Sequence, residues 1–338
     1  MNGSSITLEN KQQNVVLRTV IKYPVLPTFV FFILMVTTFI ILSPTNRAGQ
    51  NIFLSPINLA NIAEATAAFS IGAFAMTLVL LVGQLDLSTE SVIALSAVTF
   101  AMALERGMSF GVALLLTFSV GALCGVTNSI LVLKFKVPSF LATIAVALVY
   151  AGLAFLVSGS RTIQIREPML TRAFGSFGSG ASFLGLPVLL VWTVFFLIAM
   201  YLLISRSKYG RWAQATGGND QAAYSSGVNT KAVCATAFIL MGLFGSFIAI
   251  ILSARLSVAA PGFGTGYGLN LIMASVLGGT SFKGDGGNVF GALLGSLVIG
   301  VLQNGLGILG VDFHTQQVIT GLVIVSAVVF SIYLSEKK

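Results

Sequence analysis

The apolar residues of this chain fall into long blocks separated by short polar turns. A membrane helix needs about 20 apolar residues. Blocks at 25–42, 57–83, 110–133, 138–157, 184–204, 232–254, 288–309 and 315–334 are long enough or nearly so. Two shorter blocks, 91–104 and 269–282, bring the expected number of spans to ten, an even number that puts both ends on one side. The expected fold class is therefore all-α and polytopic: a tail over 1–24, then a single transmembrane domain over 25–338.

Composition agrees with that reading. Hydrophobic residues make up 56% of the 338 and charged residues only 8%, against roughly 25% charged in soluble domains. So few charges cannot cover a surface that faces water, and the bilayer is the expected solvent. The net charge of +8 reads as the basic excess of cytoplasmic loops. Nucleic-acid binding is not expected, because no basic patch is interleaved with aromatics. With a cytoplasmic N-terminus, the inner side carries Lys11, Arg18, Lys22, Lys134, Lys136, Arg206, Lys208, Arg211, Lys231, Lys283, Lys337 and Lys338. The outer side carries Arg47, Arg106, Arg161, Arg166, Arg172 and Arg255. That bias puts both termini in the cytoplasm. No cleaved signal peptide is expected in the first 23 residues, which are polar and lack an A-x-A cleavage site after a short apolar run. Cys124 and Cys234 lie within apolar blocks, without metal-ligand or disulfide spacing.

The blocks repeat. Those starting at 91, 110 and 138 recur at 269, 288 and 315. Corresponding units of about 57–157 and 232–334 are separated by an odd number of spans, so they run in opposite directions through the membrane. Inverted repeats with short spans at matching positions are common in transporters. Ten helices of similar length can also produce some periodicity by chance, and both readings stand at this level.

Residues 205–231, the longest inner loop, carry their own helix signals. Gly217 and Gly218 predict a break. Asn219 predicts a cap for the helix that follows, and Gly227 predicts its end. A short helix with Ala222, Ala223 and Ser226 on it is a candidate docking element, or an ordinary capped surface helix. The stretch GQLDLSTES over 83–91 predicts a tight turn at Gly83, with Asp86 and Ser88 capping the short helix after it. On this reading its acids, Asp86 and Glu90, meet water at the membrane surface. The pair lacks the acid, base and closed site that hydrolysis needs. The Gly-rich GGTSFKGDGGN over 278–288 lacks the phosphate-loop spacing, and no nucleotide site is expected in this chain.

Polar residues within spans face the bundle interior by preference. The pathway candidates are Asn61, Glu64, Asn128, Phe140, Gln303 and Asn304. Glu64 has two readings, snorkelling to the outer interface or lining a route. Asn128 and Asn304 occupy matching places in the two units, where hydrogen bonding between helices explains them adequately. Glycines in GALCG (121–125) and GALLGSLVIG (291–300) line one helical face and permit close approach. The outer loop 158–183, with Arg161, Arg166 and Arg172, is a candidate docking surface or a linker.

Four segments in register carry a resemblance. GRWAQATGGNDQAAYSSGVN (210–229) resembles the coupling loop of permease subunits from bacterial ATP-binding-cassette monosaccharide importers, the ribose, xylose, arabinose and galactose group. GQLDLSTES is similar to their G-G-I-D-L-S-x-G-S, KVPSFLAT to their P-x-F-x-x-T, and the stretch from Ala254 to Gly287 to their Gly-rich segment. Gln84 stands where a second glycine is usual, Glu90 where another glycine is usual, and Asp285 adds a charge to the Gly-rich turn. The resemblance implies a vitamin B12-type importer architecture and a non-catalytic permease subunit in the bacterial inner membrane. Gly217, Gly218, Asn219, Asp220, Gln221, Ala222, Ala223, Ser226 and Gly227 would couple to ATPase subunits. The implied partners are those ATPases, which would carry ATP and Mg, a periplasmic sugar-binding protein, and a second permease copy or paralogue. This chain would bind no cofactor and no metal. Other cargoes of the superfamily stay open (a furanose autoinducer, a nucleoside, a branched-chain amino acid), as does an ion-coupled carrier.

Overall fold

The computed structural model describes residues 25–165, 182–183, 186–282, 284 and 286–335. Helices form at all ten apolar blocks. They are α1 (Leu26–Leu42), α2 (Pro56–Leu81), α3 (Thr89–Glu105), α4 (Phe110–Leu133), α5 (Ser139–Ser158) and α6 (Val188–Tyr201, continued by a π-helical turn Leu202–Arg206). After two short helices, α7 (Lys208–Gly218) and α8 (Asp220–Ser225), come α9 (Thr230–Leu256), α10 (Tyr267–Leu277), α11 (Val289–Ile308) and α12 (Phe313–Ser335). Two-residue strands β1 (Ile163–Gln164) and β4 (Val258–Ala259) pair antiparallel, as do β2 (Ser182–Phe183) and β3 (Leu186–Pro187).

Among the described residues, six helices are long and apolar enough to cross a membrane: α2, α4, α5, α6 with its π turn, α9 and α11. Six of the ten expected spans are therefore clear by length and composition among the described residues. α1 and α10 are shorter apolar helices, and α3 has 17 residues. α3 and α10 are short helices whose starts lie against each other, the Gly266 N–H donating to Glu90.

The bundle has two distinct ends. α7 and α8 form a shelf at one; β1 and β4 mark the other. α2 is the central helix. It is buried over most of its length, including Phe74, Met76 and Leu78, and packs against α6, α9, α10 and α11. α2 runs from the strand end to the shelf end, α3 from the interior to the strand end, α4 to the shelf and α5 back. α9, α10, α11 and α12 trace the reverse of each in turn. α1 starts and α12 finishes toward the shelf end, with the Thr28 hydroxyl donating to the Leu277 carbonyl at 2.5 Å.

The small-residue faces do what their spacing implies. α4 and α9 cross in backbone contact, and a Cβ on Gly121 or Gly242 would strike the partner helix's carbonyl. Ser246 on α9 ties the crossing together, contacting Ser96 of α3 at 3.0 Å and donating to the Thr117 carbonyl at 2.9 Å. Bonds of this kind average roughly 0.6 kcal/mol in membranes, so the close backbone packing carries most of the contact.

Candidate functional site

The shelf begins where α6 loosens into its π turn. Ser207 then caps α7, accepting the Gly210 N–H at 3.1 Å. The break falls at Asn219, one residue later than the glycine pair suggested: Gly217 and Gly218 form the last turn of α7. Asn219 caps α8 by accepting the Ala222 N–H at 2.9 Å. Gly227, at φ +86, closes α8 with Gly227 N–H to Tyr224 O at 2.9 Å and Val228 N–H to Ala223 O at 3.1 Å, a Schellman ending. Gly218, Asn219, Asp220, Gln221, Ala222, Ser226 and Gly227 are exposed. Ala223 is not: it is buried against its own chain, because one face of a two-turn helix must seat it. Sequence reasoning missed two exposed aromatics, Trp212 and Tyr224, the latter 71% exposed. Aromatics on such a shelf are typical interface anchors.

Gly217 fastens the shelf to the bundle. A Cβ there would collide with the Leu81 carbonyl at the end of α2, and would lie 2.8 Å from the Gly284 carbonyl. Gly284 itself has φ +74. The shelf, the end of α2 and the Gly-rich turn after α10 therefore meet backbone to backbone. Beside this joint lies a cavity of about 490 Å³, lined by Gly83, Gln84, Lys136, Thr216, Asp220 and Lys231 among others. Lys283 and Asp285 lie outside the described residues.

The loop after α2 departs from expectation. Gly83 takes the predicted turn, at φ +72, but the chain then re-enters the bundle. Asp86 is only 2% exposed and Ser88 is fully buried, so the idea that water reaches Asp86 at the surface is wrong. Asp86 Oδ1 accepts the Ser88 N–H at 2.8 Å and the Ser88 hydroxyl at 2.6 Å. Asn128 Nδ2 donates to Asp86 Oδ2 at 3.1 Å and to Ser88 Oγ at 2.8 Å. The Tyr150 hydroxyl is shared between Asn128 Oδ1 and the Cys124 carbonyl, 3.2 Å from each. The Leu85 and Leu87 N–H groups reach Ser139 Oγ and Thr143 Oγ1 on α5, at 3.1 and 3.2 Å. Ser88 makes no side-chain cap on α3; its hydroxyl is spent on Asp86. A buried carboxylate is costly unless its lone pairs are filled, and three donors fill these.

Asn128 thus belongs to a network with the loop, which sequence spacing could not show. The other pathway candidates are scattered. Glu64 pairs with Arg255 at 3.5 Å, joining α2 to α9 near the strand end. Asn304 donates to Asn58 Oδ1 at 2.9 Å, and Gln303 beside it is half-buried. Asn61 and Phe140 are exposed. Arg161 is occupied by Glu105, at 2.6 Å, while Arg166 and Arg172 lie outside the described residues. Glu90 accepts the Gly266 N–H at 2.9 Å, linking the starts of α3 and α10. Among the described residues no cluster of His, Cys, Asp or Glu could hold a metal ion.

Fold and site together define a class: a multi-pass α-helical membrane protein whose terminal shelf is fastened to its central helix. The family described as "Branched-chain amino acid transport system / permease component" matches residues 58–328, and this chain belongs to that family. Its relatives include the Ribose import permease protein RbsC of Bacillus subtilis (strain 168), 36% identical over 276 residues that cover 82% of this chain and 85% of the relative. The protein of the same name from Escherichia coli (strain K12) is 37% identical over 278 residues, 82% of this chain and 86% of the relative. The L-arabinose transport system permease protein AraH of the same strain is 32% identical over 286 residues, 85% and 86%. Among solved structures, a chain of a metal-chelate type ABC transporter in an inward-facing conformation shares the fold, with TM-score 0.51 and 18% identity, covering 92% of this chain and 99% of that one.

Proposed function

We propose that this chain is the membrane-spanning subunit of an ATP-binding-cassette importer that carries a monosaccharide inward by alternating access. An uncharged sugar gains nothing from the membrane potential, so uphill movement needs an outside energy source. The joint at Gly217 carries the argument. Pressure on the shelf bears directly on the end of α2 and on the turn at Gly284. From Gly83 the chain leads into the Asp86 network and so to α4 and α5. ATPase subunits gripping Gly218–Gly227 would thereby move the bundle. The sugar assignment rests on relatives named for ribose and arabinose.

The remaining reading is of the same kind. The ten helices act as ten crossings, with α3 and α10 as half-helices, in an inverted repeat of about 57–157 and 232–334 and a vitamin B12-type importer arrangement. The shelf end, with Lys134, Arg206, Lys208, Arg211 and Lys231, faces the cytoplasm along with both termini. The strand end faces a periplasmic sugar-binding protein, and a second permease completes the pore in the inner membrane. Purification of the native complex tests the assignment. ATPase subunits and a secreted binding protein should co-purify, and mass spectrometry should find a pentose or hexose in the binding protein; an amino acid there would refute the sugar assignment.

A further inference from the structure

Glu90 is a half-buried carboxylate within the helical bundle that pairs with no cation among the described residues. Its depth follows from helix geometry. Ser88 is bonded to Asn128, which lies five residues before the end of α4 at Leu133, or about 8 Å from that end at 1.5 Å per residue. Glu90 lies two residues past Ser88, at the start of α3, whose 17 residues rise about 25 Å to the strand end. Gly266, which it contacts, opens α10, whose 11 residues place that start about 16 Å from the shelf end. The two short helices thus meet start to start well inside the bundle, away from both of its ends.

This junction is open. Glu90 and Gly266 are half-buried, Thr265 is exposed and Leu269 is 58% exposed. One Glu90 oxygen takes the Gly266 N–H; the other has no hydrogen-bond partner among the described residues. A half-free carboxylate facing lipid would be expensive, and such groups face the bundle's aqueous route instead. Each helix start carries about half a positive charge. Two of them meeting would draw anions, and one carboxylate offsets both.

We propose that Glu90 is the charge-selecting residue of the permeation route, cancelling the field of the two half-helix starts so that neutral polyhydroxylated solutes pass and anions are refused. The proposal uses the carrier reading only for the existence of an aqueous route. It is tested without cargo or partners, so failure of sugar uptake and failure of this idea are distinguishable.

The full chain, in membrane vesicles, carries Thr265→Cys as a reporter beside Gly266. Thiol reagents of matched size, one anionic and one cationic and both membrane-impermeant, are applied to each face. The two native cysteines are buried. Thr265→Cys should react from water, and the cationic reagent should be favoured. Adding Glu90→Gln should raise the anionic-to-cationic rate ratio about tenfold or more, and Glu90→Asp should keep the parent ratio. A smaller change with Glu90→Gln, the same change with Glu90→Asp, or a reporter that reacts from neither face would overturn it.

Discussion

Asp86 shows what a single residue contributes. Its buried carboxyl group is held in the bundle by donors that Ser88 and Asn128 bring to it from the loop and from α4. Removing one donor from a buried carboxylate costs about 1–3 kcal/mol. Asn128→Ala should therefore lower the melting temperature of the purified protein clearly, whereas Tyr150→Phe, losing one shared hydroxyl at the edge, should cost roughly 0.6 kcal/mol. Thermal melts in detergent separate the two, and equal shifts would mean that the network is not centred on Asp86. The sequence showed Gly83 as a turn, which it is; it also led one to expect Asp86 and Ser88 to cap α3, whereas their side chains bond each other and Asn128. It could not show depth. A short polar stretch between apolar blocks looks the same whether it crosses the surface or dips back into the bundle, because hydropathy has no term for the donors waiting on α4 and α5.

At the scale of elements, the shelf was the most legible part. Asn219 and Gly227 are local signals, and local signals survive without knowledge of the tertiary fold: both cap α8 as read. Trp212 and Tyr224 went unnoticed because exposure depends on which face of α7 and α8 the bundle takes up. The two glycines of the shelf separate folding from coupling. Gly217 has backbone on its open side, whereas nothing lies within 4 Å of a Cβ on Gly218. Gly217→Leu should thus sharply reduce the amount of folded protein in the membrane. Gly218→Trp should leave that amount unchanged and uncouple ATP hydrolysis from uptake. Fluorescence-detected size exclusion and coupled ATPase and uptake assays read the two outcomes. Normal transport by Gly218→Trp in the presence of the ATPase would remove the shelf from the mechanism.

At the scale of the whole molecule, α2–α5 and α9–α12 keep the same order of long and short helices, with the short helix second in each set, as the block spacing led one to expect; the proposed inverted repeat rests on that order. The two blocks expected to be short, 91–104 and 269–282, are the short helices α3 and α10, of 17 and 11 residues. The proposed orientation predicts that Gln214→Cys on the shelf and Ser160→Cys at the strand end, both exposed, are labelled from opposite faces of the membrane, with Gln214→Cys on the cytoplasmic face. Labelling from the same face would overturn the arrangement. The central claim is that this chain provides a route and no energy of its own. The most direct measurement is accumulation of radiolabelled ribose in vesicles holding either the chain alone or the chain with its ATPase subunits, ATP and binding protein. Accumulation against a gradient only in the complete system, and only with hydrolysable ATP, is the predicted result; accumulation by the chain alone would contradict it.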